Sequence, residues 1–151
     1  MTARTDRRRS REFALQGLYQ WLVAGGDAAG IARQLGESKG FEKIDGEYFT
    51  ALLQGAIAAA PDLEKAIVPH LDRDIARLSP IERGLLLMAG YELAHRPDVP
   101  YRAVINEAVE LAKVYGGTDG HKYVNGVLDR LAAQVRNIEI GADPRTSRSR
   151  H

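Results

Sequence analysis

The width of the apolar surface on the first predicted helix is the feature that most constrains this chain. Between Phe13 and Val23 the apolar residues follow the 3.6-residue helical period and cover an arc of roughly 200°. A helix at the surface of a domain needs a stripe only a little wider than ~100°. The sequence therefore predicts a central helix with neighbours on two sides. The apolar positions are Ala14, Leu15, Leu18, Tyr19, Trp21, Leu22 and Val23.

The other apolar residues also follow the helical period, and no segment alternates convincingly with the period of two that is typical of strands. The sequence predicts an all-α fold of about seven helices. Ser79-Pro80-Ile81-Glu82 is the clearest local signal, a capping box with proline in the first turn. Glycine pairs at 25–26 and 116–117 end two of the helices. The predicted helices are 7–24, 27–35, 47–60, one from about 63 that Pro69 kinks or ends, 79–95, 101–115 and 120–135.

The chain of 151 residues predicts one domain over residues 7–136, with one lobe at about 7–71 and another at about 79–136. Residues 1–6 are expected to form a flexible arm and residues 137–151 a disordered basic tail. The chain has no cysteine, which excludes disulfides and thiolate metal sites and suits the cytoplasm. No apolar run approaches the ~20 residues that a membrane span requires, so no membrane partner is expected.

The net charge of +1 hides a marked asymmetry along the chain. The first 11 residues carry five arginines and one aspartate, and the last 16 carry four arginines and two acidic residues. The body between them is therefore acidic. Basic ends on an acidic body favour a local site for a polyanion.

The arginine cluster of residues 7–11 leads directly into the first apolar helix. Arg8, Glu12, Leu15 and Tyr19 fall in one sector of that helix, so an aromatic ring stands below the arginines on one face. Guanidinium groups with a partly exposed ring are typical of proteins that bind single-stranded nucleic acid. The alternative interpretation is a solvated basic terminus with Tyr19 in the core.

A second informative segment opens the last predicted helix. His121, Lys122 and Tyr123 stand in its first turn, where unpaired backbone N–H groups favour anions, and Asp119 can cap it. The alternative makes Tyr123 a core ring and Lys122 a solvated charge. Gly126 costs up to about 1 kcal/mol inside a helix, which suggests that another helix or a ligand approaches closely.

Familiar catalytic and metal-binding patterns are missing from the sequence. The histidines at positions 70, 95, 121 and 151 are too widely spaced for a helical ligand pair, and no Gly-rich phosphate loop or nucleophile elbow occurs. Glu107 and Glu110 form an i, i+3 pair that could act in acid–base chemistry. A solvated helix face, with Glu110 beside Lys113, is the preferred interpretation. We expect neither an enzyme nor a cofactor.

Four blocks in order resemble the NusB family of bacterial transcription antitermination factors, over roughly residues 7–135. The first is the arginine cluster followed by Ala14-Leu15-Gln16-Gly17-Leu18-Tyr19. Tyr91-Glu92-Leu93 follows, and then Val99-Pro100-Tyr101 leads into Ile105–Lys113. The most specific block is His121-Lys122-Tyr123-Val124-Asn125-Gly126-Val127-Leu128-Asp129. Family proteins often have phenylalanine at the position of Tyr123, so the ring is kept.

The resemblance implies two helical bundles that share the first helix. It also implies a factor that binds boxA single-stranded RNA, notably in leaders of ribosomal RNA operons, together with the ribosomal protein NusE. The complex would join RNA polymerase with other Nus factors and suppress termination. A homodimer is a further option. By the same likeness, Glu82 would contact the partner protein, and the RNA surface would contain Arg7, Arg8, Arg9, Arg11, Tyr19, Asp119, His121, Lys122 and Tyr123.

Two alternatives belong to other functional classes. Some RNA methyltransferases carry a NusB-like domain, so the chain could be an RNA-binding accessory module of an rRNA methyltransferase system. It lacks the α/β catalytic domain and could not methylate alone. A DNA-binding helix-turn-helix protein is the other alternative, but the helix that contains His121 has too few base-reading side chains on one face.

Overall fold

The computed structural model describes residues 3–137, with side chains from Asp6 onward. It confirms the prediction of an all-α fold, since these residues form seven α-helices, three short 3-10 helices and no strand. Every α-helix among them is too short or too polar to cross a lipid bilayer. The α-helices are α1 (Ala3–Ala24), α2 (Ala28–Leu35), α3 (Gly46–Ala58), α4 (Ala60–Ile67), α5 (Pro80–His95), α6 (Tyr101–Tyr115) and α7 (Gly120–Val135).

Helix α1 begins earlier than the sequence indicated. It is helical from Ala3, so the described part of the expected flexible arm, residues 3–6, belongs to the helix. Its end agrees with the prediction, because Gly25 and Gly26 adopt φ values of 78° and 101° that other residues rarely adopt. The predicted tail lies outside the described residues from position 138 onward.

Two of the predicted helix caps are present and one is not. The Asp27 side chain accepts from the Gly30 N–H at 2.6 Å. Ser79 and Glu82 form the full capping box, with both hydrogen bonds at 3.1 Å. Asp119 occupies the N-cap position of α7, but its side chain makes no capping hydrogen bond. Its carboxylate instead lies 3.5 Å from the Lys122 ammonium group.

Helices α1 and α5 organise the packing. Helix α1 packs against α2, α3 and α5, whereas α5 also packs against α4, α6 and α7. The α5 segment 84–90 is buried on every face, because helices surround it. On α1, Ala14, Leu15 and Leu18 are fully buried, but Tyr19 and Val23 are 43% and 59% exposed. The wide apolar arc of α1 is therefore only partly used by the core.

One close helix approach lies at Gly17 of α1. A Cβ atom at Gly17 would stand 2.8 Å from Leu53 Cδ1 and 3.3 Å from both Ile31 and Leu35. At Gly126 the expected approach of another helix was wrong, since a Cβ atom there would meet only Arg130 Nη1 at 3.4 Å, and the approach of a ligand stays a prediction. A residue without a side chain is thus required at Gly17, where α1 crosses α2 and α3. The helices of the described structure impose no such requirement at Gly126 of α7.

Arg136 closes the far end of α5. It was counted with the basic C-terminal segment, but it is only 8% exposed. Its guanidinium donates to the backbone carbonyls of Leu93, Val99, Glu92 and Arg96 at 2.7–3.1 Å. This charge joins the end of α7 to the α5–α6 connection.

Candidate nucleic-acid interface

Arg11, which the resemblance places on the RNA surface, is 5% exposed. Its Nε and Nη2 atoms donate to the two carboxylate oxygens of Glu92 at 2.8 and 2.9 Å, and Nη2 also donates to the Tyr48 hydroxyl at 3.1 Å. That hydroxyl donates to Glu92 in turn. Burial alone would lower the pKa of Arg11, but Glu92 raises it above its ordinary value. Arg11 therefore ties α1 to α3 and α5, and its guanidinium is not available to a ligand.

Arg8 and Arg7 are paired but accessible. Arg8 donates from Nε and Nη2 to the Glu107 carboxylate at 2.9 and 2.8 Å, and its side chain is 46% exposed. The hydrogen bonds and charge of Glu107 raise the pKa of Arg8. Arg7 lies over the Tyr48 ring, 4.4 Å from its centroid, and 3.9 Å from an Asp45 oxygen. Both guanidinium groups keep an open side for a phosphate.

The expectation that Glu107 lies on a solvated face was wrong. It is 8% exposed and contacts Arg8 as well as Arg11, whose Nη1 lies 3.6 Å away. Glu107 is thus a structural counter-ion for the N-terminal end of α1. Glu110 behaves as predicted, exposed and 3.4 Å from Lys113.

Tyr19 lines a mostly apolar groove of about 480 Å³, called here the Tyr19 groove. Its walls come from α1, α5 and the ends of α2 and α6, and include Glu12, Gln16, Val23, Ile81 and Tyr115. Tyr115 continues the apolar stripe of α6 but does not lie in the core. This residue is 41% exposed, and its hydroxyl donates to Glu12 at 3.3 Å. Two accessible tyrosine rings therefore flank one groove.

Tyr123 is half-buried at the start of α7 and packs against the core. The Arg73 guanidinium covers one face of its ring, 4.2 Å from the centroid, and the Tyr123 hydroxyl accepts from the Asp72 N–H at 3.4 Å. Burial raises the pKa of Tyr123. Arg73 is exposed, so it extends the planar surface of the ring outward. His121 is half-buried and Lys122 exposed on the same turn.

The arginine cluster and the start of α7 are separate patches, and the Tyr19 groove is lined by Glu12, one helical turn after Arg8, and by Ile81 of α5. Arg8 and Tyr19 are eleven residues apart on α1, which is about 16 Å along the axis. Ile81 lies in the Tyr19 groove, and the next residue, Glu82, faces Gly120, where a Cβ atom would lie 3.7 Å from Glu82 Oε2. The other Glu82 oxygen accepts from the Ser79 N–H. Of the predicted residues, Arg8, Tyr19 and those at the start of α7 therefore lie along an extended path, with Glu82 next to it, whereas Arg11 is buried.

Sequence reasoning missed Tyr115 and Arg73. Tyr115 has the helical spacing that is typical of a core residue, but it is the last residue of its helix. Arg73 is an exposed residue of the connection between α4 and α5, and no sequence signal marks its contact with Tyr123.

Comparisons with known proteins agree with this architecture. The model of the NusB family matches residues 8–133. The transcription antitermination protein NusB of Nitrosomonas europaea is 59% identical over 91% of this chain and 83% of its own length. Its counterpart in Nitrosospira multiformis is 62% identical over 87% of this chain and 84% of its own. A solved structure of NusB from T. maritima superposes with a TM-score of 0.78 at 29% identity, covering 88% of this chain and 95% of that one. The chain belongs to the NusB family.

Proposed function

We propose that this chain is an RNA-binding transcription antitermination factor that binds boxA-type single-stranded RNA in nascent transcripts, notably ribosomal RNA leaders. Curated relatives that match most of its length are named transcription antitermination proteins. The observation that carries the proposal of RNA binding is the exposed Tyr19 ring in an apolar groove. This ring lies on the same face of α1 as the half-exposed Arg8. An unpaired base can stack on such a ring, and the neighbouring phosphate can bind such a guanidinium group.

The roles follow from accessibility. Arg7, Arg8 and Arg9 attract phosphates, whereas Arg11 acts only by holding the end of α1 in place. Tyr19 stacks on a base, with a contribution of roughly 1–3 kcal/mol. At the other end of the path, Tyr123 carries Arg73 on its face, so a base would stack on the exposed guanidinium plane. Asp119, His121 and Lys122 border that end.

The ribosomal protein NusE is the proposed protein partner, and RNA polymerase with other Nus factors the proposed assembly. Glu82 lies beside the start of α7, so a protein docked there would lie next to bound RNA. One Glu82 carboxylate oxygen is used by the capping box and the other remains for a basic partner. The partner would add affinity by holding a further part of the same RNA.

Replacing Tyr19 with aspartate tests the RNA-binding part. The change removes a stacking ring and adds a negative charge, so the affinity for boxA RNA should fall at least tenfold. Helicity and melting temperature should stay nearly unchanged because the ring is 43% exposed. Titrations should use boxA RNA, a scrambled RNA and duplex DNA of the boxA sequence, each with and without NusE.

Gln54→Asp is the matched control. It adds the same charge on the outer face of α3, where Gln54 is exposed, and should leave RNA binding unchanged. Equal losses of binding and folding in Tyr19→Asp would make Tyr19 a core residue. Equal affinity of the wild-type chain for boxA RNA, scrambled RNA and duplex DNA would overturn the proposed specificity.

A further inference from the structure

A second groove borders α1 at Arg9, Glu12, Phe13 and Gln16. It encloses about 420 Å³ between α1 and the connection from α2 to α3, and is called here the Lys39 groove. Three cations line it: Arg9 of α1, and Lys39 and Lys43 of the connection. Its acidic members are Glu12 and Glu42, and Gln16, Phe13 and Gly40 complete it. The groove thus carries more positive than negative groups in a body that is acidic as a whole.

Within the described part of the chain, the cations of the Lys39 groove differ from their neighbours in having no counter-ion. Arg7, Arg8 and Arg11 each approach a carboxylate within 4 Å. Among the described residues, neither Arg9 nor the two lysines forms an ion pair. Pairing with an external anion would therefore displace no internal partner at these three positions.

The connection that carries the lysines is held in place by aromatic packing. The Phe41 ring lies between Phe13 of α1 and Phe49 of α3, in edge-to-face contacts with centroids 5.2 and 5.0 Å apart. Phe41 belongs to a short 3-10 helix, Phe41–Lys43, which follows Gly40 at a φ of 89°. A cation on an ordered segment loses less backbone freedom when it binds than one on a loose loop.

The Lys39 groove continues into the Tyr19 groove. Both are lined by Glu12 and Gln16, which lie one helical turn apart on α1. Glu12 is engaged by the Tyr115 hydroxyl at their junction. An RNA strand with one base stacked on Tyr19 could therefore cross α1 at Gln16. Its next phosphates would then reach Arg9 and the two lysines.

We infer that Lys39 and Lys43, with Arg9, form a second phosphate-binding site, which extends the single-stranded RNA path from the Tyr19 groove across α1. The inference rests on the proposed function, because Tyr19 is the point from which the strand is traced. RNA is favoured over an acidic protein segment because the groove is continuous with the stacking site. The arginine cluster at the end of α1 would then grip one part of the strand and the Lys39 groove another.

The test is a Lys39→Gln/Lys43→Gln variant, with Lys65→Gln/Lys113→Gln as the control that removes the same charge from exposed positions on α4 and α6. Affinity for boxA RNA is measured over a salt series. The plot of log K against log salt has a negative slope, and the loss of two phosphate contacts should reduce the magnitude of that slope by about 1.4. This loss should also weaken binding roughly three- to thirtyfold at low salt. The control should match the wild-type chain in both quantities.

A length series of RNA adds a second readout. Fragments too short to span both grooves should bind the wild-type chain and the Lys39→Gln/Lys43→Gln variant equally, whereas longer RNA should distinguish them. If Tyr19→Asp abolishes binding but the lysine variant matches its control, the second site is wrong and the proposed function stands. If the lysine variant keeps its affinity for RNA but no longer binds NusE, the groove is a binding site for a protein, and this result also overturns the inference. No RNA binding by the wild-type chain would reject the proposed function itself.

Discussion

Arg9 and Arg11 are separated by one residue, yet the structure gives them opposite roles. Arg11 is buried and shares Glu92 with Tyr48, so three polar side chains of three helices satisfy each other away from water. Arg9 is half-buried, forms no ion pair with the described residues and lines a groove. Helical geometry explains the difference, since two residues turn the side chain by about 200°.

Arg11→Met should therefore destabilise the fold without acting at the RNA surface. Removing one partner of a buried ion pair leaves Glu92 uncompensated, at a cost of about 3–5 kcal/mol. Denaturant unfolding measures this loss, and RNA affinity measured below the unfolding transition should stay close to that of the wild-type chain.

Arg9→Gln is the matched variant and should show the reverse. Its free energy of unfolding should change by no more than about 0.5 kcal/mol, because the guanidinium has no counter-ion in the described structure. For RNA binding, the magnitude of the slope of log K against log salt should decrease by about 0.7, the value of one phosphate contact. A stable Arg11→Met variant with weakened RNA binding would contradict the role of Arg11, and an Arg9→Gln variant with an unchanged salt dependence would contradict the role of Arg9.

At the scale of elements, the helices followed from the sequence because their apolar period and caps are local properties. The bounds of α6 and α7 match the prediction, and the capping box of α5 is present. The sequence did not show which helix faces meet. Glu107 was assigned to a solvated face because its spacing from Glu110 and Lys113 is that of an exposed stripe, but Arg8 and Arg11 come from a helix about 100 residues away.

Gly17 of α1 and Gly126 of α7 provide a test of helix packing. Gly17→Ala should lower stability, because the added methyl group meets Leu53 in a closed core, with an overpacking cost of about 1–3 kcal/mol. Gly126→Ala should raise stability by up to about 1 kcal/mol, since alanine favours the helix and the site is open. Thermal unfolding of the two variants measures the difference in sign.

The same sign for both variants would argue against the described crossing of α1 with α2 and α3. If Gly17→Ala were the more stable of the two, Leu53 would not stand 2.8 Å from the added atom. If Gly126→Ala were destabilised, α7 would have a neighbour at Gly126 beyond Arg130.

At the scale of the whole molecule, the charge asymmetry seen in the sequence has a structural meaning. Much of the basic N-terminus serves the fold, since Arg7, Arg8 and Arg11 contact carboxylates of α5, α6 and the start of α3. The accessible parts of the proposed RNA surface are the half-exposed Arg8, the Tyr19 groove, the Lys39 groove and the Arg73–Tyr123 pair. The first two were indicated by residues on one helix. Tyr123 was also indicated, in the first turn of the last predicted helix, whereas Lys39, Lys43 and Arg73 lie in connections between helices, where no pattern in the sequence indicates their contacts.

Mapping bound RNA along the chain tests the central claim most directly, that α1 carries the RNA path across its exposed face. The measurement is the change in backbone amide chemical shifts when boxA RNA is titrated into the 151-residue protein. The account predicts the largest changes around Arg8, Tyr19, Lys39 to Lys43 and Tyr123, and small changes around Gln54 and Lys65. The largest changes on the outer faces of α3 and α4, with Tyr19 unperturbed, would contradict it.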